Sequence, residues 1–293
     1  MFLCVAIPGV GAAAVAATSA VLRGAVQGLQ RPVLAALNGL LLRPVVLSSG
    51  VLAATTVTRG VGASLLGAVL TYGVLRSLVA PLVGLRSDPL PSLLGRVALA
   101  ALGVAGSVPL VRGVLAANNA LCALLVRSAP RGPAGLIRPL VGGLGLSAAP
   151  ALLGVGPDIV ALAVVVGVAA LACFYLVRSA EIALLALLLP LAAALWALPA
   201  AAGVWRALVG ELLVSVFVQA AQAAVLLVFA VGLSGGPADA GQWLVSLASL
   251  ALLFRCRMLV GRAVGILLPW AGDAAGPAGW IRGAGLGLRL GPG

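Results

Sequence analysis

Residues 159–177, IVALAVVVGVAALACFYLV, form an apolar run without a single charged side chain. The run has about the length that an α-helix needs to cross a hydrocarbon core roughly 30 Å thick. Asp158 lies at its start, and Tyr175 and Arg178 lie at its far end, where residues typical of a membrane–water interface are found. This stretch therefore predicts a transmembrane helix.

The whole chain shares this apolar character. Of its 293 residues, 63% are hydrophobic and only 8% are charged, and the mean hydropathy is +1.24. A soluble domain is closer to half apolar and a quarter charged, so this chain has too few polar side chains to cover a surface in water. The sequence predicts an all-α, polytopic transmembrane protein with about 5–7 spans and additional interfacial amphipathic helices.

Further apolar runs follow towards the C-terminus. Residues 182–199 form the next run, and Pro190 in its middle predicts a kink, because neighbouring helices can satisfy the carbonyl that a proline frees. A third run extends over about 207–234 and a fourth over 243–254. The RCR sequence at 255–257 is expected to end the fourth run, and the short piece after it is expected to lie in the interface.

The first half of the chain is apolar but repeatedly interrupted by arginine. An arginine at the centre of a membrane helix costs roughly 2.5–3.5 kcal/mol on the insertion scale, so arginines belong at span ends or on interfacial helices. The best predicted spans are about 61–84 and 95–117. Residues 27–57 are either one broken span or two interfacial pieces. The Gly/Pro-rich segment 128–157 is predicted as a loop, with or without a re-entrant or interfacial piece. The interrupting residues are Arg43, Arg59, Arg76, Arg96 and Arg112.

These runs divide the chain into three predicted parts. They are N-terminal interfacial or membrane-embedded segments (1–60), a polytopic transmembrane helical domain (61–270) and a flexible Gly/Pro-rich tail (271–293). Loops rich in positive charge stay on the cytoplasmic side of a membrane. The turn at 235–242 has no arginine and is expected outside, which places the C-terminus in the cytoplasm.

Four polar residues interrupt the third apolar run: Glu211, Ser215, Gln219 and Gln222. On a helix their spacing of i, i+4, i+8 and i+11 places all four side chains on one face. Such a polar stripe is costly against lipid, where an unpaired amide finds no hydrogen-bond partner. Two interpretations stay open. The polar stripe packs against a neighbouring helix of the same subunit, or it lines a subunit interface or an aqueous passage.

Little in the sequence points to catalysis. The chain has no His, which removes the commonest general base and the commonest metal ligand, and with it any Ser–His pair. It has no Lys either, so it cannot contain a standard P-loop. Glu181 is expected to pair locally with Arg178, three residues before it. We therefore expect a protein that is not an enzyme and that needs no cofactor or metal.

Three stretches, 76–125, 175–199 and 205–228, carry a recognisable pattern. Together they resemble the TrbL-type polytopic subunit of type IV secretion systems, equivalent to the sixth VirB component, as found in conjugative elements of high-GC bacteria. The residues of the pattern are, in order, Asn118, Asn119, Arg178, Pro190, Trp196 and Pro199, followed by the paired Gln219 and Gln222.

The resemblance implies a multi-pass subunit of the cytoplasmic (inner) membrane that forms homo-oligomeric rings with other type IV secretion components. Separate ATPases then supply the energy, and DNA or protein substrates pass outward. In this setting Gln219 and Gln222 are expected to pack between helices or subunits at the channel base. The alternative is a small-solute transporter or permease that depends on Glu211, and a third hypothesis is a membrane anchor without a conducting role.

Overall fold

The computed structural model describes residues 44–79, 90–130, 156–198, 201–232 and 242–267, together with isolated positions elsewhere. All regular structure in these residues is helical, which confirms the predicted all-α class for the described part of the chain. The helices are α1 (Ser49–Val79), α2 (Leu90–Ser128), α3 (Gly156–Leu195), α4 (Ala202–Gly232) and α5 (Gln242–Leu267).

Four helices of the described residues are long and apolar enough to cross a membrane. They are α1, α2 and the segments Leu162–Leu195 of α3 and Gly203–Gly232 of α4. Length and composition thus agree with a helical membrane protein. The number of spans stays a prediction.

Two predicted boundaries are wrong, because charged residues do not end the helices there. The runs 159–177 and 182–199, predicted as separate spans, are both part of α3 up to Leu195, and this single helix has 40 residues. Helix α5 likewise continues through 255–257 to Leu267. No glycine or proline lies at either junction to interrupt the backbone. Three of the charged side chains there, Arg178, Glu181 and Arg257, have partners within the chain, as described below.

Helix α1 begins at Ser49, inside the segment 27–57 that the sequence left ambiguous. Ser48 caps it, since its Oγ accepts a hydrogen bond from the backbone N–H of Val51 at 3.3 Å. The helix continues past residue 60, where a domain boundary was predicted. Most of the predictions for 1–43, 131–155 and 268–293, and the one for Pro199, lie outside the described residues.

The described residues form two compact units. Unit 1 contains 121–130, 156–177, 220–232 and 242–256, and unit 2 contains 45–79, 90–120, 178–198, 201–219 and 257–267. In unit 1 the core is aliphatic and centres on Val164, Val168 and Leu171 of α3, packed with Leu226 of α4 and Leu253 of α5.

In unit 2, small residues allow close helix contacts beside two aliphatic cores. A Cβ atom on Gly62 of α1 would lie only 3.1 Å from the carbonyl oxygen of Pro190, and one on Gly103 of α2 would lie 3.1 Å from the Cβ of Ala193. Such contacts between small residues let membrane helices pack through dispersion forces where lipid offers no hydrophobic advantage. Helices α1 and α2 therefore both pack tightly on the C-terminal part of α3.

Candidate functional site

Helix α4 carries the predicted polar stripe, and the structure buries most of it. Ser215, Gln219 and Gln222 are at most 2% exposed, and Glu211 is half-buried. In the apolar stretch of α4, 56% of the residues are buried inside the chain, compared with 11% in that of α1. Helix α4 is therefore much the more enclosed of the two. The three buried side chains therefore face other parts of this chain rather than lipid.

In unit 1, Gln222 links three helices. Its Oε1 accepts a hydrogen bond from the Tyr175 hydroxyl of α3, and its Nε2 donates to the Leu253 carbonyl of α5 at 3.1 Å. The amide uses both ends within an aliphatic core, where an unpaired polar group would be costly. Gln222 is thus a fixed point of contact between α3, α4 and α5.

In unit 2, the adjacent residues Asn118 and Asn119 of α2 have different partners. Asn118 is fully buried, and its Nδ2 donates to the Oε1 of Gln219 at 3.2 Å. Asn119 accepts from the backbone N–H of Val45 and donates to the carbonyl of the same residue, both at 3.1 Å. One amide therefore joins α2 to α4, and the other satisfies both backbone groups of a residue in the non-helical segment before α1.

Arg178 of α3 is buried as well, with 3% of its surface exposed. Its Nε donates to the carbonyl of Ser215, and its Nη2 donates to the carbonyl of Val216 at 2.8 Å. The predicted local pair between Arg178 and Glu181 is wrong, because the carboxylate of Glu181 binds an arginine from another helix. Arg178 instead attaches α3 to the backbone of α4.

The partner of Glu181 is Arg257 of α5. The guanidinium and the carboxylate form a bidentate pair, with Nη2–Oε1 at 2.7 Å and Nη1–Oε2 at 3.1 Å. The Nη2 of Arg257 also contacts the carboxylate of Glu211 on α4. One arginine thus bridges carboxylates from two helices, and we call these three residues the charged triad.

Two buried polar atoms have no hydrogen-bond partner among the described residues: Asn118 Oδ1 and Ser215 Oγ. Ser215 lies one helical turn before Gln219, which binds Asn118. Both atoms therefore lie in the same part of unit 2, where α2 meets α4. A partner that reached them would remove a penalty of about 1–3 kcal/mol for each unsatisfied group.

Pro190 and Trp196, two further pattern residues, pack against other parts of unit 2. Pro190 lies inside α3, where its carbonyl meets Gly62, and Trp196 follows the end of α3 and packs half-buried against the core that contains Ala197. The sequence did not indicate Tyr175 and Arg257 as site residues. Both lie at the ends of apolar runs, which is also where interfacial residues are expected.

Among the residues whose placement is described, no three His, Cys, Asp or Glu side chains come together as metal ligands would. No protein-family model, curated protein or solved structure matches this chain. What bears on function is therefore the sequence pattern and the contacts that its residues make.

Proposed function

We propose that the chain is a non-catalytic membrane subunit, scaffold or channel, of a type IV secretion machine for conjugative DNA transfer. The observation that supports this proposal is that residues of the sequence pattern contact one another or a shared helix. Asn118 and Gln219 are 101 residues apart and hydrogen-bonded, and Arg178 binds the backbone of α4. Apolar composition alone produces chance resemblance to many families, but it does not bring the polar residues of a sequence pattern into contact with one another.

In this role the polar contacts would hold the helices of the subunit together. Polar contacts between helices persist in lipid because the separated groups would find few other partners there. Gln219, Gln222 and Arg178 all bind within the chain, which favours a scaffold over a wide aqueous conduit through one subunit. Energy would come from separate ATPases, and the sites for other subunits would lie on the exposed helix faces.

The experiment that tests this proposal is purification of the tagged chain from its native membrane in mild detergent, followed by mass spectrometry. We expect secretion ATPases and other envelope-spanning subunits to be recovered with it. The variant Gln219→Leu with Gln222→Leu should lose these partners and DNA transfer. Thr71→Leu is the matched control, because Thr71 is exposed on α1 and its hydroxyl binds only its own helix, at Gly67.

A small-solute transporter is the second candidate, and the charged triad is the observation that favours it, since ionisable groups among membrane helices often mark ion pathways. A transporter would be recovered alone and would move its solute in liposomes under an ion gradient. Glu211→Gln would abolish that movement. Recovery of the chain without partners, together with gradient-driven uptake, would replace the secretion proposal.

A further inference from the structure

Arginines from several helices of unit 2 come to nearly the same level along the helix axes. The first two belong to α1 and α2, which run antiparallel because Gly62 lies against Val104 and Gly73 lies against Leu93. Arg59 of α1 contacts α2 directly, because its Nη2 donates a hydrogen bond to the backbone carbonyl of Ala105. The second arginine of this level, Arg112, lies seven residues after Ala105. Seven residues are two helical turns, or about 10 Å, and keep the same helix face.

Arg112 lies close to the level of the charged triad. Helices α2 and α4 run in the same direction, because both are antiparallel to α3: Gly103 of α2 lies against Ala193, and Ser215 of α4 binds Arg178. Asn118 of α2 is hydrogen-bonded to Gln219 of α4. Arg112 lies six residues before Asn118 and Glu211 of the triad lies eight residues before Gln219, so the two differ by only about 3 Å along the helix axes. The side chain of Arg112 itself is exposed.

Two more arginines approach this level from α4 and α5. Arg206 lies five residues before Glu211 of the triad, and Arg262 lies five residues after Arg257. Five residues of α-helix rise about 7.5 Å, so each stays within that distance of the triad along its helix. Both side chains are exposed. We call Arg59, Arg112, Arg206 and Arg262 the arginine belt.

Apart from the two carboxylates of the charged triad, which Arg257 binds, the surface around the arginine belt is apolar. Helices α1 and α2 contain no acidic residue at all. Large exposed side chains beside the arginine belt are aliphatic or methionine, namely Val57, Val61, Leu110, Met258 and Leu259, which are 40–66% exposed. Such a surface fits acyl chains, and guanidinium groups at one level fit the phosphate layer above them.

We propose that the arginine belt binds the phosphate groups of anionic phospholipids and holds this level of unit 2 in the headgroup layer. The charged triad then lies at the membrane surface rather than in the hydrocarbon core, where arginines are costly. Arginine excess is typical of the cytoplasmic side, so the leaflet concerned is the cytoplasmic one. Lipid binding at the arginine belt does not depend on a role in secretion.

Single-stranded nucleic acid is the competing ligand for a row of arginines. Proteins that bind it place aromatic side chains among the basic ones, so that bases can stack. Among the side chains that the structure describes, the large exposed ones beside the arginine belt are not aromatic, and Trp205, next to Arg206, is half-buried against the core of unit 2. This favours lipid phosphate over nucleic acid.

The test uses the full chain in nanodiscs that contain phosphatidylcholine and phosphatidylglycerol, with retained lipids counted by native mass spectrometry. Arg112→Gln with Arg262→Gln should lower retention of phosphatidylglycerol relative to phosphatidylcholine by about tenfold. Arg76→Gln with Arg127→Gln removes the same charge from exposed positions outside the arginine belt and should have little effect. Arg112→Lys with Arg262→Lys keeps the charge and should preserve most of the preference.

Equal losses of phosphatidylglycerol in the two glutamine variants, or no loss in either, would overturn the proposal. So would a lysine variant that behaves like the glutamine variant at the arginine belt, since charge would then not be the cause. In a final experiment, binding of a short single-stranded oligonucleotide is measured with the protein in nanodiscs of pure phosphatidylcholine. Binding that requires Arg112 and Arg262, with unchanged phosphatidylglycerol retention, would assign the arginine belt to nucleic acid instead.

Discussion

The guanidinium of Arg59 donates from Nη2 to the backbone carbonyl of Ala105 at 3.2 Å, from α1 to α2. Ala105 lies four residues before Pro109, which is inside α2 and has no N–H to donate to that carbonyl. Arg59 thus supplies the hydrogen bond that the helix lacks at its proline. A neighbouring side chain of this kind explains how a long apolar helix tolerates an internal proline.

Arg59→Leu should therefore lower the free energy of unfolding by about 1 kcal/mol, the usual net value of one hydrogen bond. In a Pro109→Ala background the helix supplies its own donor, and the same substitution should cost clearly less. Denaturant unfolding in detergent of the four proteins of this double-mutant cycle measures the difference. An equal cost of Arg59→Leu in both backgrounds would show that the carbonyl of Ala105 is not what Arg59 stabilises.

Gly62 sets the distance between α1 and α3. A methyl group there would lie 3.1 Å from the Pro190 carbonyl oxygen, which the backbone of α3 cannot readily relieve. We expect Gly62→Ala to destabilise the protein by about 1–3 kcal/mol. Gly60→Ala is the matched control in the same helix, because nothing lies within 4 Å of the added atom, and it should stabilise by about 0.5–1 kcal/mol. Equal stability of the two variants in the same unfolding assay would argue against this close contact.

The sequence predicts the helices of the described region well but places some of their ends wrongly. Apolar runs can be read directly from the sequence, whereas the end of a helix also depends on which partners its charged residues find on other helices. Arg178 and Glu181 look like the edge of a span because local sequence does not reveal Ser215 or Arg257 as their partners. A charge with a partner on another helix can lie inside a long helix without ending it.

For the candidate site as well, local sequence predicts some features, whereas others depend on residues far away in the chain. Helical spacing suffices to place Ser215, Gln219 and Gln222 on one face of α4, and the structure buries all three. It cannot supply their partners, which come from other helices. Tyr175 is the clearest case, because a tyrosine at the end of an apolar run is as typical of an interface as of a buried hydrogen bond.

Arg257→Gln tests the charged triad. Without the guanidinium, the carboxylates of Glu181 and Glu211 would face each other with no cation between them. Since the side chain of Arg257 is 41% exposed, solvent screens part of this repulsion, and we expect a loss of about 2 kcal/mol in thermal or denaturant unfolding. Arg255→Gln, an exposed arginine two residues earlier, should change stability by less than about 0.5 kcal/mol.

Adding Glu181→Gln and Glu211→Gln to Arg257→Gln should recover most of this loss, because neutral amides no longer repel. A triple variant as unstable as the single one would show that packing, rather than charge, accounts for the effect of Arg257→Gln.

Tyr175 and Gln222 should be energetically coupled, because their side chains are hydrogen-bonded to each other. Tyr175→Phe leaves the Oε1 of Gln222 without this donor, and Gln222→Leu removes the acceptor together with the bond to Leu253. Each single change should cost about 1–3 kcal/mol. The coupling energy from the double-mutant cycle should be about 0.6 kcal/mol or more, the average for hydrogen bonds between membrane helices.

The pair Tyr175 and Gln219 serves as the control for that cycle. Gln219 is on the same buried face of α4, but the partner found for its Oε1 is Asn118 of α2. Tyr175→Phe with Gln219→Leu should therefore be nearly additive, within about 0.5 kcal/mol. Coupling of Tyr175 to Gln219 as strong as its coupling to Gln222 would mean that the polar stripe acts as one connected network, rather than as separate pairs between particular helices.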